Sequence, residues 1–294
     1  MAARHPSHLS GRGGTLSYAH PARGSRESGP LLGFATLLAF SIWLLFFSPL
    51  VGAVTALIPG SDSLLGTFAG TALRFIPLWM LAWYVPRLLG RPSITLLRPA
   101  GRIQLRWFGF GFGSWLALSG AFAVGEWLLS PEDFTVTVSW SHAVLSVFVA
   151  LIVFPIQTSA EELVFRGLIP QALGTVLRSD WAIAAASGLL FAVPHLLNPE
   201  AIGNSSAALI AYGALGAAWC LAVLRTGGLE VALGAHLANN IFALSIVGYE
   251  NSALPSIALW TTPAIDLSLE AGKSVVAGAI WVSLVHLWSR KNSS

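Results

Sequence analysis

Cysteine is almost absent: Cys220 is the only one in 294 residues, and it sits in an apolar segment. That excludes an intrachain disulfide and any cysteine-cluster metal site. Charge is nearly as scarce. Charged residues make up 10% of the chain, against about 25% in a soluble domain. With 55% hydrophobic residues and a mean hydropathy of +0.71, a soluble globular domain is excluded. The composition predicts an all-α, polytopic integral membrane helical bundle. The net charge of +3 and pI near 9.4 come from scattered loop arginines rather than a basic patch, so no nucleic acid is expected as a partner. There is no clear internal repeat, which argues against a transporter built of inverted halves. There is no H-E-x-x-H pattern, and the first apolar stretch starts too late and runs too long for a signal peptide.

What is present is a series of apolar segments. Residues 1–30 are rich in Gly, Ser, Pro, Arg and His and are expected to form a disordered cytoplasmic tail. An integral membrane domain is expected over 31–290, with a motif-bearing core at about 142–248. About eight transmembrane helices are predicted, near 31–58, 64–86, 107–129, 142–160 continuing to 177, 181–197, 205–224, 229–248 and 271–289. Thirteen of the sixteen Lys and Arg then fall on one side, including Arg87, Arg91, Arg98, Arg102, Arg106, Arg178, Arg225, Arg290 and Lys291. Lys273 falls on the other side, with Asp62, Glu132, Asp133, Glu200, Glu250, Asp266 and Glu270. Basic loops stay cytoplasmic, so both termini are predicted inside a plasma membrane, with a bacterial setting expected. Gly109, Gly111 and Gly113 suit close helix packing. Trp83, Trp107, Trp127, Trp140, Trp181, Trp260, Trp281 and Trp288 lie near segment ends and are expected to be interfacial anchors.

Against this apolar background the run S-A-E-E-L-V-F-R-G, Ser159 to Gly167, stands out. A charge at the centre of a spanning helix costs roughly 3 kcal/mol on insertion scales, so three cost about 9 before pairing. Glu162 and Arg166 are i,i+4 with the acid N-terminal, the better orientation for an ion pair. Glu161 lies about 100° round the helix and is left free for chemistry. Two further segments carry polar groups at similar depth: Phe191 to His195 reads F-A-V-P-H, and His236 to Asn240 reads H-L-A-N-N. On straight helices, Glu161, His195 and His236 all fall within roughly 10 Å of the midplane. Ionisable groups at one depth on separate spans usually share a polar cavity. Such a set can activate water and stabilise an oxyanion, as intramembrane peptide hydrolysis requires. Spacing alone leaves open whether Asn239 or Asn240 faces that cavity. Arg74, in the second segment, either pairs with an acid such as Glu126 or snorkels, and is assigned no role.

These motifs resemble the CPBP family of intramembrane proteases, the CAAX-protease and bacteriocin-processing group also called Abi proteins. Its patterns E-E-x-x-x-R, F-x-x-x-H and H-x-x-x-N occur in order at Glu161-Glu162-x-x-x-Arg166, Phe191-x-x-x-His195 and His236-x-x-x-Asn240. The likeness covers about 155–245. It implies an intramembrane endopeptidase acting on a membrane-associated peptide or protein, with Glu161 as the water-activating carboxylate and His195 as its second water ligand. Glu162 and Arg166 become a structural or substrate-orienting pair, and His236 with Asn240 the oxyanion-stabilising pair. Two chemistries remain open: one divalent metal, zinc, held by Glu161, His195 and His236 with a free position, or a metal-free water activated by glutamate. The alternative to an enzyme is a non-catalytic immunity or scaffold protein that retains the fold. A proton-coupled transporter is the third reading, disfavoured by the missing repeat.

Overall fold

The structure is a computed structural model that describes residues 18–19, 28–60, 63–99, 102–250, 252–253 and 257–291. Most of the expected disordered tail therefore lies outside the described residues. Tyr18 and Ala19 are both buried, and the Tyr18 hydroxyl donates to the Leu96 carbonyl.

The chain is a helical bundle. The first helix runs from α1 (Ser28–Ile42) through a π-helical turn into α2 (Ser48–Ala56). Then come α3 (Leu64–Leu88), α4 (Leu105–Leu129) and α5 (Trp140–Glu162), which passes through a second π-helical turn, Leu163–Leu168, into α6 (Ile169–Leu173). The chain continues as α7 (Asp180–His195), α8 (Ser205–Thr226), α9 (Glu230–Ser245) and α10 (Leu267–Lys291). Six helical stretches are long and apolar enough to cross a bilayer: Gly29–Ala56, Leu65–Leu88, Leu105–Leu129, Trp140–Leu173, Ser205–Thr226 and Leu267–Lys291. The all-α membrane bundle is thus observed, while the count of eight is not reached on length. The two segments that fall short are α7 and α9, of 16 residues each. At 1.5 Å per residue each is about 24 Å long, under the roughly 30 Å of a hydrocarbon core. Both carry site residues.

Apolar side chains cover the outside as well as the interior. Phe34, Leu45, Phe46, Leu129, Ile152 and Ile202 are all exposed, as lipid-facing residues are. Helix α9 differs, because small and apolar residues occupy it nearly all round and it is buried on every side. It packs against α4 and α5, while α8 packs between α7 and α10. Two glycines set the α4–α9 distance. A Cβ on Gly111 would fall 2.0 Å from the Val231 carbonyl oxygen, and one on Gly234 would fall 2.2 Å from that of Phe108. Gly109 and Gly113 meet nothing within 4 Å, so only Gly111 of that trio serves the close approach. Gly234 lies half a turn before His236. We expect Gly234→Ala to push α9 off α4 and cut kcat by about 10²-fold, the cost of misplacing a reacting group by about 1 Å. Purified variant and wild type compared on one cleaved peptide, with helicity checked by circular dichroism, would measure it.

The two ends of the bundle differ in chemistry. At one end Arg98 makes a two-point ion pair with Glu230 at 2.9 and 3.1 Å, and its Nη1 donates to the Thr226 carbonyl. Arg91 donates to Gln171 at 2.7 Å, and Arg225 contacts His286 at 3.0 Å. These bonds gather the α3–α4 connection, α6, the end of α8, the start of α9 and the end of α10 into one basic face. Arg98 is therefore a buried structural clamp as well as a loop charge. At the opposite end a small sheet, in the order β1–β3–β2, caps the bundle. Strands β1 (Thr135–Val136) and β3 (Trp260–Thr262) are antiparallel, and β2 (Val247–Tyr249) runs parallel to β3. There Lys273 bridges Glu126 on α4 and Glu270 on its own helix. Lys273 thus occupies the Glu126 that was a candidate partner for Arg74. Two of the expected interfacial tryptophans are core residues instead. Trp281 is fully buried and donates to Ser114, and Trp107 is buried with its ring nitrogen on Gln104. Trp127, Trp140 and Trp181 are exposed at helix ends.

Candidate active site

Helix α5 delivers Glu161 and Glu162 at its last two positions, where the backbone widens into the π-helical turn. Within that turn the Ile169 amide donates to the Val164 carbonyl, an i to i+5 bond. Single π turns inside helices recur at functional sites, because they re-aim side chains that a uniform helix would space evenly. Here both members of the i,i+4 pair stay in contact: Arg166 Nη1 lies 3.0 Å from Glu162 Oε1, and both side chains are 0% exposed. The guanidinium sits between two aromatic faces, 4.0 Å from the Phe191 centroid and 5.1 Å from that of Trp219. Aromatic faces stabilise a desolvated cation by their quadrupole. Phe191, the first residue of the second motif, thus holds Arg166 as well as preceding His195 by one helical turn.

His236 joins the two glutamates. Its Nδ1 is 2.8 Å from Glu162 Oε1, and its Nε2 is 3.5 Å from Glu161 Oε2. Glu162 is already paired with Arg166, so it accepts from His236, and the Nδ1 of His236 carries the proton. Its Nε2 then presents a lone pair beside Glu161. Glu161 also accepts from the Gln157 side-chain amide at 3.4 Å. Trp219 lies against the imidazole, with ring centroids 4.7 Å apart.

His195 ends α7. Its Nδ1 lies 2.8 Å from the Phe191 carbonyl oxygen, an acceptor, so its Nε2 is the free ring nitrogen. The ring stacks on Tyr212 of α8, centroids 4.3 Å apart and planes 28° apart. Tyr212 is held in turn by a buried carboxylate. Glu200 accepts from the Tyr212 hydroxyl at 2.5 Å, from Asn198 at 3.0 Å and, through its other oxygen, from the Ala253 amide at 3.0 Å. The Tyr249 hydroxyl also donates to Glu200; burial, and then the nearby carboxylate, push that phenol up from its usual range and keep it a donor. Sequence reasoning had Glu200 as a loop acid and passed over Tyr212. Nothing in their spacing links them, since the contact depends on the turn between α7 and α8.

Asn239 and Asn240 both line the cavity. Trp115 of α4 donates to Asn239 Oδ1 at 3.2 Å, and the Asn239 amide donates to Asn240 Oδ1 at 3.3 Å. Asn239 is thus committed to holding its neighbour, and the Asn240 amide nitrogen is left as the donor. Trp115 and Asn239 are supporting residues that no motif pointed to.

The cavity has a volume of about 610 Å³ and is bordered by Glu161, His195, His236 and Asn240. Glu162 and Arg166 lie behind this wall. Arg74 also lines it, its guanidinium packed against Gly52, which accounts for an arginine in the middle of α3. As a zinc site the donor set does not fit as arranged. Among the described residues no three His, Cys, Asp or Glu side chains converge to hold a metal, and the His195 ring is stacked on Tyr212 rather than grouped with Glu161 and His236.

Fold and site together define the class, an integral membrane helical protein with a buried acid–histidine centre at the floor of a polar cavity. The chain belongs to the Rce1-like family: residues 140–242 match the type II CAAX prenyl endopeptidase Rce1-like family. It is 32% identical over 214 residues to the uncharacterized protein YyaK of Bacillus subtilis (strain 168), an alignment covering 72% of this chain and 71% of that protein. No solved structure matches. Membership implies a protease, and with it a membrane-associated substrate and a lipid setting.

Proposed function

We propose that the protein is an intramembrane endopeptidase in which Glu161 activates the attacking water. The observation that carries this reading is the placement of Glu161 Oε2 3.5 Å from His236 Nε2 on the wall of the cavity. A water at the apex of that pair donates one hydrogen to each and keeps a lone pair for the scissile carbonyl. Glu161 takes the proton as the C–O bond forms and later delivers it to the leaving amine. His195, with Nδ1 committed to the Phe191 carbonyl, offers Nε2 as the alternative acceptor for the water's second hydrogen, which leaves His236 Nε2 free to carry a proton. Asn240 donates to the oxyanion, and His236 contributes a second donor only while its Nε2 is protonated. Glu162 and Arg166 position His236 without touching substrate. No step of this sequence runs through a metal. Adding a chelator to the purified, active protein separates the two chemistries.

Positive-inside charge supports eight crossings, with α7 and α9 as short ones, and both termini in the cytoplasm of a bacterial plasma membrane. A tilted or locally thinned bilayer accommodates helices of about 24 Å.

Mapping new peptide termini by mass spectrometry, in membranes of cells carrying wild type or Glu161→Gln at matched expression, tests the reading. Termini that vanish in the variant support it and name candidate substrates. Identical termini, together with full rescue of a deletion phenotype by the variant, would instead support a non-catalytic membrane partner. Asn240→Ala is expected to lower kcat by about 10²–10³-fold with KM little changed, the usual cost of one oxyanion donor. Asn239→Ala should cost less, because it removes a support and not the donor. Steady-state kinetics on one identified peptide would measure both.

A further inference from the structure

The two ends of the bundle assign a side of the membrane to the cavity. Every described arginine of the loop regions sits at the end formed by the α3–α4 connection, α6, the end of α8 and the end of α10, where Arg91, Arg98 and Arg225 tie those elements together. The cavity does not reach that end. From Glu161 and His236 it runs the other way, past His195 and Tyr212, to Glu126, Glu200, Tyr249 and Lys273, beneath the small sheet. All of those rim groups belong to the acidic end. Thirteen of sixteen Lys and Arg lie on the opposite side in sequence, and basic segments are retained in the cytoplasm.

The geometry points to a cavity that opens on the extracytoplasmic face, so that the substrate is an exported or outer-leaflet-anchored peptide rather than a cytoplasmic tail. The rim adds a charge preference. Glu126, Glu200 and Glu270 line the cavity at this end, where Lys273 is already bridged to Glu126 and Glu270, while Arg74 lies on the cavity wall. An acidic rim draws neutral or basic peptide and repels acidic peptide. The proteolytic reading supplies the word substrate; the sidedness of the cavity stands without it.

Cysteine accessibility tests the sidedness. Cys220 is buried, so wild type supplies the blank. Ser119→Cys, on the cavity wall, and Ser252→Cys, at its rim, would be exposed on intact cells to a membrane-impermeant maleimide, beside Arg178→Cys at the basic end. The expected result is labelling of both cavity positions on intact cells, with Arg178→Cys reacting only after permeabilisation. Cavity positions that need permeabilisation, or an Arg178→Cys that reacts on intact cells, would overturn the assignment. A second arm couples sidedness to chemistry: a bulky impermeant maleimide on Ser119→Cys, applied from outside, should suppress the termini that depend on Glu161. Loss of those termini in Glu161→Gln with inward-facing labelling would refute the sidedness and leave the protease. Outward-facing labelling with no Glu161-dependent termini would do the reverse.

Discussion

Glu161→Gln is expected to lower peptide cleavage by at least about 10³-fold while leaving the purified protein as stable as wild type. The size follows from general acid–base catalysis, worth about 10²–10⁴-fold for a positioned group, and from the way catalytic groups that act as a unit lose most of the rate together. Unchanged stability follows from the surroundings. Glu161 borders the cavity, its contact with Gln157 is long at 3.4 Å, and it is not the partner of Arg166. A glutamine there has the same shape, keeps an acceptor for Gln157 and cannot take a proton from water. Single-turnover cleavage of a peptide identified in cells, beside thermal unfolding in detergent, measures both halves. A glutamine variant that cleaves within a few-fold of wild type would remove Glu161 from the chemistry.

The adjacent residue should behave differently. Glu162→Gln is expected to destabilise the protein by about 3–5 kcal/mol, because it leaves the guanidinium of Arg166 buried and uncompensated. Both side chains are fully buried 3.0 Å apart, and Glu162 also accepts from His236 at 2.8 Å. The same change loosens the tautomer of His236, since a neutral amide holds the Nδ1 proton less firmly than a carboxylate. Loss of such an orienting carboxylate costs about 10⁴-fold in a serine protease triad, and a fall of about 10²–10⁴-fold is expected here. The double variant Glu162→Gln, Arg166→Met separates the two effects. Removing both charges should recover much of the stability, as apolar replacement of buried ion pairs often does, without restoring cleavage. Two neighbouring glutamates thus give opposite signatures, one catalytic at constant stability and one both structural and orienting. Equal loss of stability in the two single variants would contradict that division.

The motif residues were legible because their chemistry is out of place. A carboxylate, an imidazole or a guanidinium in an apolar run is costly enough to stand out with no structural information, and the i,i+4 spacing of Glu162 and Arg166 carried their pairing. The supporting residues were not legible, for the opposite reason. Trp115, Tyr212 and Trp219 look like ordinary members of apolar helices, and Glu200 looks like an ordinary loop acid. Their roles come from which helices touch, α4 against α9 and α7 against α8. The choice between Asn239 and Asn240 was open for a related reason. Neighbours on a helix point about 100° apart, and only Trp115 on another helix commits Asn239 to a supporting contact. Trp281 and Trp107 show the limit of reading position as environment: they sit at segment ends in sequence, yet face the core.

By itself the sequence determined that this chain is a helical membrane protein, which residues are polar where lipid would exclude them, and which loops are basic. Those properties are local, set by transfer free energies and by spacing along one helix. Only the tertiary structure decided that His236 lies between two adjacent glutamates, that α7 and α9 are only 16 residues long, and that the cavity rises toward the acidic end. The first and last depend on the distance between segments far apart in the chain, and that distance is set by packing such as the backbone approach of α4 and α9 at Gly111 and Gly234 rather than by hydrophobicity alone.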